Sequence, residues 1–326
     1  MRALKICVVL LALLAVGIAA IFATSAAPPV DAIAEAERAL GIPLESRQVE
    51  TNGIRLHVVA AGPADGPPVV LLHGFPEFWA AWQEQIAPLA QAGFRVLVPD
   101  QRGTNASDKP ADLEAYRLQE FENDIIGLLD ALGHESAFLA GHDLGAWVSW
   151  HLLIFHPERF RRAVIFNSGH PQGPPDGEPE QDEEEKIGWH RTLAQIPYLP
   201  ELAARFGNWW LPTRVLRTTS RPGTFDDARL AAYRYAWHRD HAIATMAAGL
   251  RAWRVFPREL PEPAVVRVPT LLVWGLQDAF IDLDDPAPAL ALIEQGELVE
   301  LPDVGHWLLH EEPEETARLL VEYFSR

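Results

Sequence analysis

The sequence has one cysteine in 326 residues, Cys7. No internal disulfide can form, and the folded body has neither a thiolate nucleophile nor a cysteine-based metal site. Positive charge is scarce as well, with 27 Lys and Arg against 45 Asp and Glu and a net charge of -18. Residues 1–27 contain Arg2 and Lys5 and no acid, so the remainder carries 25 basic and 45 acidic groups, a balance of -20. Such a body disfavours nucleic acid and anionic membrane surfaces as partners. Internal repeats and metal-ligand spacings are both missing, so no metal is expected.

Long hydrophobic runs are confined to one place. Residues 6–23 (ICVVLLALLAVGIAAIFA) are continuously apolar behind the basic Arg2 and Lys5, and small residues and Pro28-Pro29 follow. This pattern fits a cleaved secretory signal. It also approaches the length of a membrane anchor. In both cases the basic flank stays inside and the body lies outside the cytoplasm.

The remaining chain, 48% hydrophobic overall, is long enough for one large domain with an insertion. Residues 28–45 read as a linker and short helix. Strand and helix then alternate, with strands expected at 54–61, 68–73, 94–99, 136–141, 162–167, 269–275 and 296–301. Helices are expected at 77–92, 121–132 and 312–325. This alternation predicts an α/β fold, a mostly parallel sheet flanked by helices. It breaks between about 171 and 262, where helical periodicity replaces it. That stretch is expected to be an inserted helical cap dividing a core of residues 46–170 and 263–326. Its opening, residues 171–186, reads as a solvated charged loop.

The chemistry is concentrated at turns. In SAFLAGHDLG (136–145) an apolar strand runs into Gly141-His142-Asp143-Leu144-Gly145 and then a helix. This is the pattern of a nucleophile elbow, whose tight turn requires small residues two before and two after the nucleophile. The residue at the tip is an aspartate and not a serine. Asp also caps helices, but other motifs follow in the order the elbow requires. LLHGFPE (71–77) ends a strand and offers the Phe75 N–H, with that of Leu144, as an oxyanion hole. Pro76 would fix this loop and can support a cis peptide. WGLQD places Asp278 at a strand end, and VGHW places His306 before the last helix. The order Asp143, Asp278, His306 is nucleophile, acid, base. A carboxylate attacking an ester would give only an anhydride. A carboxylate attacking an sp3 carbon with a leaving group gives an ester that water can then hydrolyse, with His306 as base. Epoxides and alkyl halides are therefore the expected substrates, and no cofactor is required.

HGFPEFW, PDQRGTNASDKP (99–110), GHDLGAW, NSGHP, WGLQDAF and GHW together make residues 46–325 resemble the epoxide hydrolases of the α/β-hydrolase superfamily. The resemblance implies an α/β-hydrolase fold with an inserted helical cap, and a small, largely apolar substrate. Arg102 and Gly103 are expected to stabilise a loop. The resemblance also implies two cap tyrosines that would hydrogen-bond the epoxide oxygen. His190 stands at the first position and Leu250 at the second. The candidate donors are therefore His190, its neighbour Trp189, and Trp253, one turn beyond Leu250. Tyr198, Tyr233 and Tyr235 are further candidates whose register argues against them. Two alternatives stay open. Haloacid and haloalkane dehalogenases share HGFP and a Trp/His pair like Trp189 and His190, although Leu144 replaces the Arg or Trp those enzymes carry. A non-catalytic secreted binding protein of the same fold is the other.

Overall fold

A computed structural model describes residues 31–173, 199–239, 242–280 and 286–326, with Gly17 alone before them and side chains in the insertion from Ala204 onward. Apart from Gly17, residues 6–23 lie outside the described residues, as do the candidate donors Trp189 and His190 and the candidate Tyr198. Among the described residues no helix is long and apolar enough to cross a membrane.

Eight strands form one sheet in the order β1-β2-β4-β3-β5-β6-β7-β8. They are β1 (Glu45–Thr51), β2 (Ile54–Ala61), β3 (Pro68–Leu72), β4 (Arg95–Pro99), β5 (Ala137–His142), β6 (Phe160–Phe166), β7 (Thr270–Gly275) and β8 (Gly296–Leu301). The β1–β2 and β2–β4 pairs are antiparallel, and every other pair is parallel. The central strands are continuous apolar runs because helices cover both faces of the sheet. Along β3, Val69 and Leu71 join one hydrophobic cluster while Val70 and Leu72 join the other. Val96 and Val98 alternate with Leu97 in the same way along β4.

Seven of the eight strands fall within two residues of their expected bounds. The exception, β1 (ESRQVET), is largely exposed and polar. It forms an edge hairpin with β2, and no apolar alternation advertises it. Ahead of it, α1 (Ala32–Leu40) is capped by Asp31, which accepts from Ala34 N, and ends at left-handed Gly41. The helix expected at 77–92 is a 3-10 turn, Trp79–Trp82, followed by α2 (Gln83–Gln91). Next come α3 (Leu118–Ala131) and α4 (Leu144–Phe155). The helix expected at 312–325 is found at Pro313–Phe324.

Between β6 and β7 the described insertion is helical, in agreement with its periodicity: α5 (Leu199–Thr218), α6 (Asp227–His238) and α7 (Ala242–Val255). A kink breaks α5 where Gly207, Asn208 and Trp209 are left-handed. Trp209 is buried there against Trp237. After β7 come α8 (Ala287–Ala291), α9 (Leu308–Glu311) and α10 (Pro313–Phe324). Pro313 opens α10, where its missing N–H costs nothing, and separates it from α9.

The loop after β4 is held by a buried ion pair. Arg102 Nε donates to Asp124 Oδ2 at 2.6 Å and Nη2 to Oδ1 at 2.5 Å, while Nη1 binds the Ala115 carbonyl. Both side chains are almost fully buried. The guanidinium is engaged in joining the loop to α3, as its sequence context suggested. Replacing Asp124 by Ala would leave the buried guanidinium with only the Ala115 carbonyl and Glu120, whose carboxylate is 3.8 Å away. The expected loss is about 3–5 kcal/mol of folding stability, read by urea unfolding.

Candidate active site

The turn from β5 to α4 places Asp143 at φ 50°, ψ -117°, a backbone region that non-glycine residues rarely occupy. Three glycines make the turn possible. A Cβ on Gly145 would lie 2.2 Å from the Leu72 carbonyl oxygen on β3. One on Gly141 would lie 2.5 Å from the Gly145 carbonyl, and one on Gly74 would lie 2.7 Å from the Asp143 side chain. The first two close the strand against the helix. The third makes room for the carboxylate itself.

Asp143 emerges beside the loop that follows β3. Phe75 N donates to Asp143 Oδ2 at 2.8 Å, and the Phe75–Pro76 peptide is cis. Leu144 is the first residue of α4, so its N–H has no partner within the helix. On the other side, His306 Nε2 lies 3.7 Å from Asp143 Oδ1, and its Nδ1 lies 2.7 Å from Asp278 Oδ2. The Asp143 side chain retains 23% exposure, against 2% for His306 and 4% for Asp278. The only one of the three open to a reactant is therefore the residue at the tip of the elbow.

The three residues singled out from the sequence thus converge at the C-terminal edge of the parallel strands, where open α/β sheets bind their ligands. A cavity there is lined by Gly74, Phe75, Leu144, Met246, Gly249 and Trp253, among others. Trp253 packs edge-on against Phe121, and its indole nitrogen is buried with no hydrogen-bond partner among the described residues. The other described candidates lie elsewhere. Tyr233 is buried with its hydroxyl on Glu77, and Tyr235 lines a different cavity.

Residues 67–313 match the model of the alpha/beta hydrolase fold. This chain belongs to the α/β-hydrolase fold family. It is 37% identical over 278 residues to the AB hydrolase superfamily protein YfhM of Bacillus subtilis (strain 168), covering 85% of this chain and 96% of that one. It is 32% identical over 338 residues to epoxide hydrolase A of Mycobacterium tuberculosis, covering 88% and 98%. Among solved structures, epoxide hydrolase A from Mycobacterium thermoresistibile superposes with a TM-score of 0.73 at 26% identity, covering 86% of this chain and 98% of that one. The chain is epoxide hydrolase-like in sequence, as its motifs implied.

Around the family's elbow, this chain carries supports that spacing alone did not single out. Asn167, just after β6, donates from Nδ2 to Asp278 Oδ2 at 2.8 Å and to the Gly305 carbonyl at 3.1 Å. Its Oδ1 accepts from Gly275 N at 2.7 Å. One amide thereby ties together the ends of β6 and β7 and the loop before His306. Asp278 Oδ1 also accepts from Phe280 N at 2.7 Å. Deeper in, Glu77 meets His142 Nδ1 at 3.1 Å and His310 Nε2 at 2.9 Å, and accepts from the Tyr233 hydroxyl at 2.9 Å. His142 Nε2 then donates to the His306 carbonyl at 2.8 Å. Burial would raise the Glu77 carboxyl, but hydrogen bonds and charge from His142 and His310 outweigh it and hold it well below the usual range. Glu77 and His142 were visible only as letters within HGFPE and GHD. The available signal was polar side chains at the ends of otherwise buried strands.

Burial pushes the His306 pKa down, but Asp278, Asp143 and Glu77 outweigh that effect and raise it to about 9. The resting site is thus a buried imidazolium between two carboxylates. A pKa raised on folding stabilises the native state below the ordinary value of 6.5, and that contribution is lost as pH rises through about 9. The stability advantage of the native chain over His306→Gln should be largest below pH 6.5 and should shrink toward pH 9. Urea unfolding across that range checks this, and a constant difference would contradict the raised pKa.

Proposed function

We propose that this chain is an epoxide hydrolase that works through a covalent ester on Asp143. The observation that carries the reading is a carboxylate at the elbow tip, with the His306 imidazole 3.7 Å away and Asp278 behind it. In the first step an Asp143 oxygen attacks an epoxide carbon, the ring C–O bond breaks, and the ring oxygen takes up, through solvent, the proton that the His306 imidazolium loses as the Asp143 charge disappears. The product is a hydroxyalkyl ester of Asp143. In the second step His306 Nε2 removes a proton from water, and the water oxygen attacks the carboxyl carbon of that ester. The resulting oxyanion is held by the N–H groups of Phe75 and Leu144. Collapse releases the diol and restores the Asp143 carboxylate.

The charge arrangement orders these steps. In the resting site the negative charge of Asp143 helps to keep His306 protonated. Alkylation removes that charge, so the His306 pKa falls and the imidazole becomes a base only after the ester exists. The partner implied is a small, largely apolar epoxide, since Leu144, Met246 and Trp253 offer no counter-charge and the one guanidinium among the described lining residues, Arg102, is already paired with Asp124. We also propose that the body lies outside the cytoplasm, on the ground of the apolar run at 6–23 behind the basic Arg2 and Lys5.

Trp253 is the described donor for the ring oxygen, with an indole N–H that no other described residue uses. His190 and Trp189 are the further candidates for this role, from the part of the insertion that carries them. Trp253→Phe should slow alkylation about tenfold, the rate equivalent of one hydrogen bond of roughly 1.4 kcal/mol. An unchanged single-turnover rate would remove Trp253 from the reaction.

The decisive experiment is the intact mass of His306→Gln after exposure to a panel of epoxides and, separately, alkyl halides and haloacids. The expected result is an epoxide adduct that accumulates and maps to Asp143, because the second step has lost its base. An adduct only with halides would move the assignment to dehalogenation. No adduct in a folded protein would favour a binding function.

A further inference from the structure

A second hydrogen-bonded triad, this one of serine, histidine and aspartate, lies on the antiparallel side of the sheet. Ser46 is on β1, His57 on β2, and Asp100 directly follows β4. Ser46 faces Val59 and Gln48 faces His57 across the β1–β2 ladder. Ser46 and His57 are therefore diagonal neighbours on one face, within side-chain reach. On the other side of β2, the Asp100 N–H donates to the His57 carbonyl at 2.8 Å, which continues the β2–β4 pairing. Three adjacent strands thus present three side chains in a row. Ser46 Oγ lies 2.8 Å from His57 Nε2, and His57 Nδ1 lies 2.6 Å from Asp100 Oδ2.

The protonation pattern follows from the partners. Asp100 is fully buried and also accepts from Trp79 N at 2.9 Å and Asn105 Nδ2 at 2.8 Å. Burial raises its pKa, but the hydrogen bond and charge of His57 outweigh this and lower it, so Asp100 is a carboxylate. A carboxylate only accepts, so His57 Nδ1 carries the proton that faces it. In the neutral ring Nε2 is then the acceptor, and the Ser46 hydroxyl donates to it. This is the hydrogen-bond order that turns a serine into a nucleophile.

The arrangement opens on a cavity of about 400 Å³ lined by Ser46, His57, Phe78, Trp79, Tyr235 and Arg239. It shares no lining residue with the cavity beside Asp143. Ser46 is exposed, whereas His57 is buried beneath it. Arg239 supplies a cation, and its Nε is buried with no hydrogen-bond partner among the described residues. A cation with an unused N–H is suited to an oxyanion, and the aromatic walls to an apolar acyl group.

We propose that Ser46, His57 and Asp100 form a second acyl-transfer site, independent of Asp143, that hydrolyses small carboxylic esters. Ser46 Oγ attacks the acyl carbon while its proton passes to His57 Nε2. The tetrahedral oxyanion faces Arg239. The acyl–oxygen bond breaks, and the alcohol leaves with the proton from His57. Water, deprotonated by the same nitrogen, then frees the acid and restores Ser46.

The test uses a small dialkyl fluorophosphate on the full chain. Ser46 Oγ would form the bond to phosphorus, fluoride would leave, and the serine proton would pass through His57 to solvent. The expected result is one adduct, mapped to Ser46 by peptide mass, that is absent from Ser46→Ala and forms at least ~10²-fold more slowly in His57→Gln. In an Asp143→Ala background, turnover of p-nitrophenyl acetate should fall to the uncatalysed rate when Ser46→Ala is added. Ser46 is an exposed edge-strand residue, so its replacement should leave the thermal midpoint unchanged, which keeps the result interpretable. A folded protein with no adduct on Ser46 would overturn the proposal. So would a Ser46 labelling rate unchanged in His57→Gln, since the serine would then lack its base.

Discussion

Everything at the candidate site depends on how closely α4 approaches β3. Gly145 has a carbonyl oxygen of Leu72 where a side chain would be, and that proximity forces the turn in which Asp143 takes its left-handed backbone. The turn sets which way the carboxylate points, and Phe75 N receives it because the loop after β3 starts from the same point. Asp278 and His306 come from β7 and the loop before α9, on the far side of the elbow. Their position relative to Asp143 is inherited through β6, and Asn167 carries it across with one side chain on three elements.

Electrostatics then does work that geometry alone does not. Two carboxylates and one imidazole are packed where water is largely excluded, and charge balance favours a protonated ring. A deeper set of buried groups places one carboxylate, Glu77, between the rings of His142 and His310, without access to a reactant. Its product is positional: it holds the backbone of His306 from below through His142. The ionisable groups of this edge are thus divided between one set that can meet substrate and another that supports it.

Much of this was legible because the α/β alternation and the elbow have strong local signatures. GHDLG requires small residues on both sides of the tip, and the structure shows the contacts that would exclude anything larger. The strand β1 was illegible because it is a polar edge, where neither face is buried enough to impose alternation. Glu77, His142 and Asn167 were missed for another reason. Their roles arise from partners tens or hundreds of residues away, and no spacing along the chain encodes such a partner. Trp253 sits between these cases. Its place one turn after Leu250 was readable, whereas an N–H that no other described residue uses is a property of the packed cavity.

The insertion is attached by two different kinds of contact. Through α6 it is moored to the catalytic edge by polar bonds, with Trp237 Nε1 donating to the Pro76 carbonyl at 2.6 Å and Tyr233 to Glu77. Through α7 it presents Met246, Gly249 and Trp253 to the cavity. The anchoring helix and the substrate-facing helix are thus separate pieces of chain. Residues that shape the cavity can be exchanged without loosening the mooring that holds the nucleophile's loop. Substrate range and catalytic geometry are consequently separable traits, and a chain built this way can diversify in what it accepts while its chemistry stays the same.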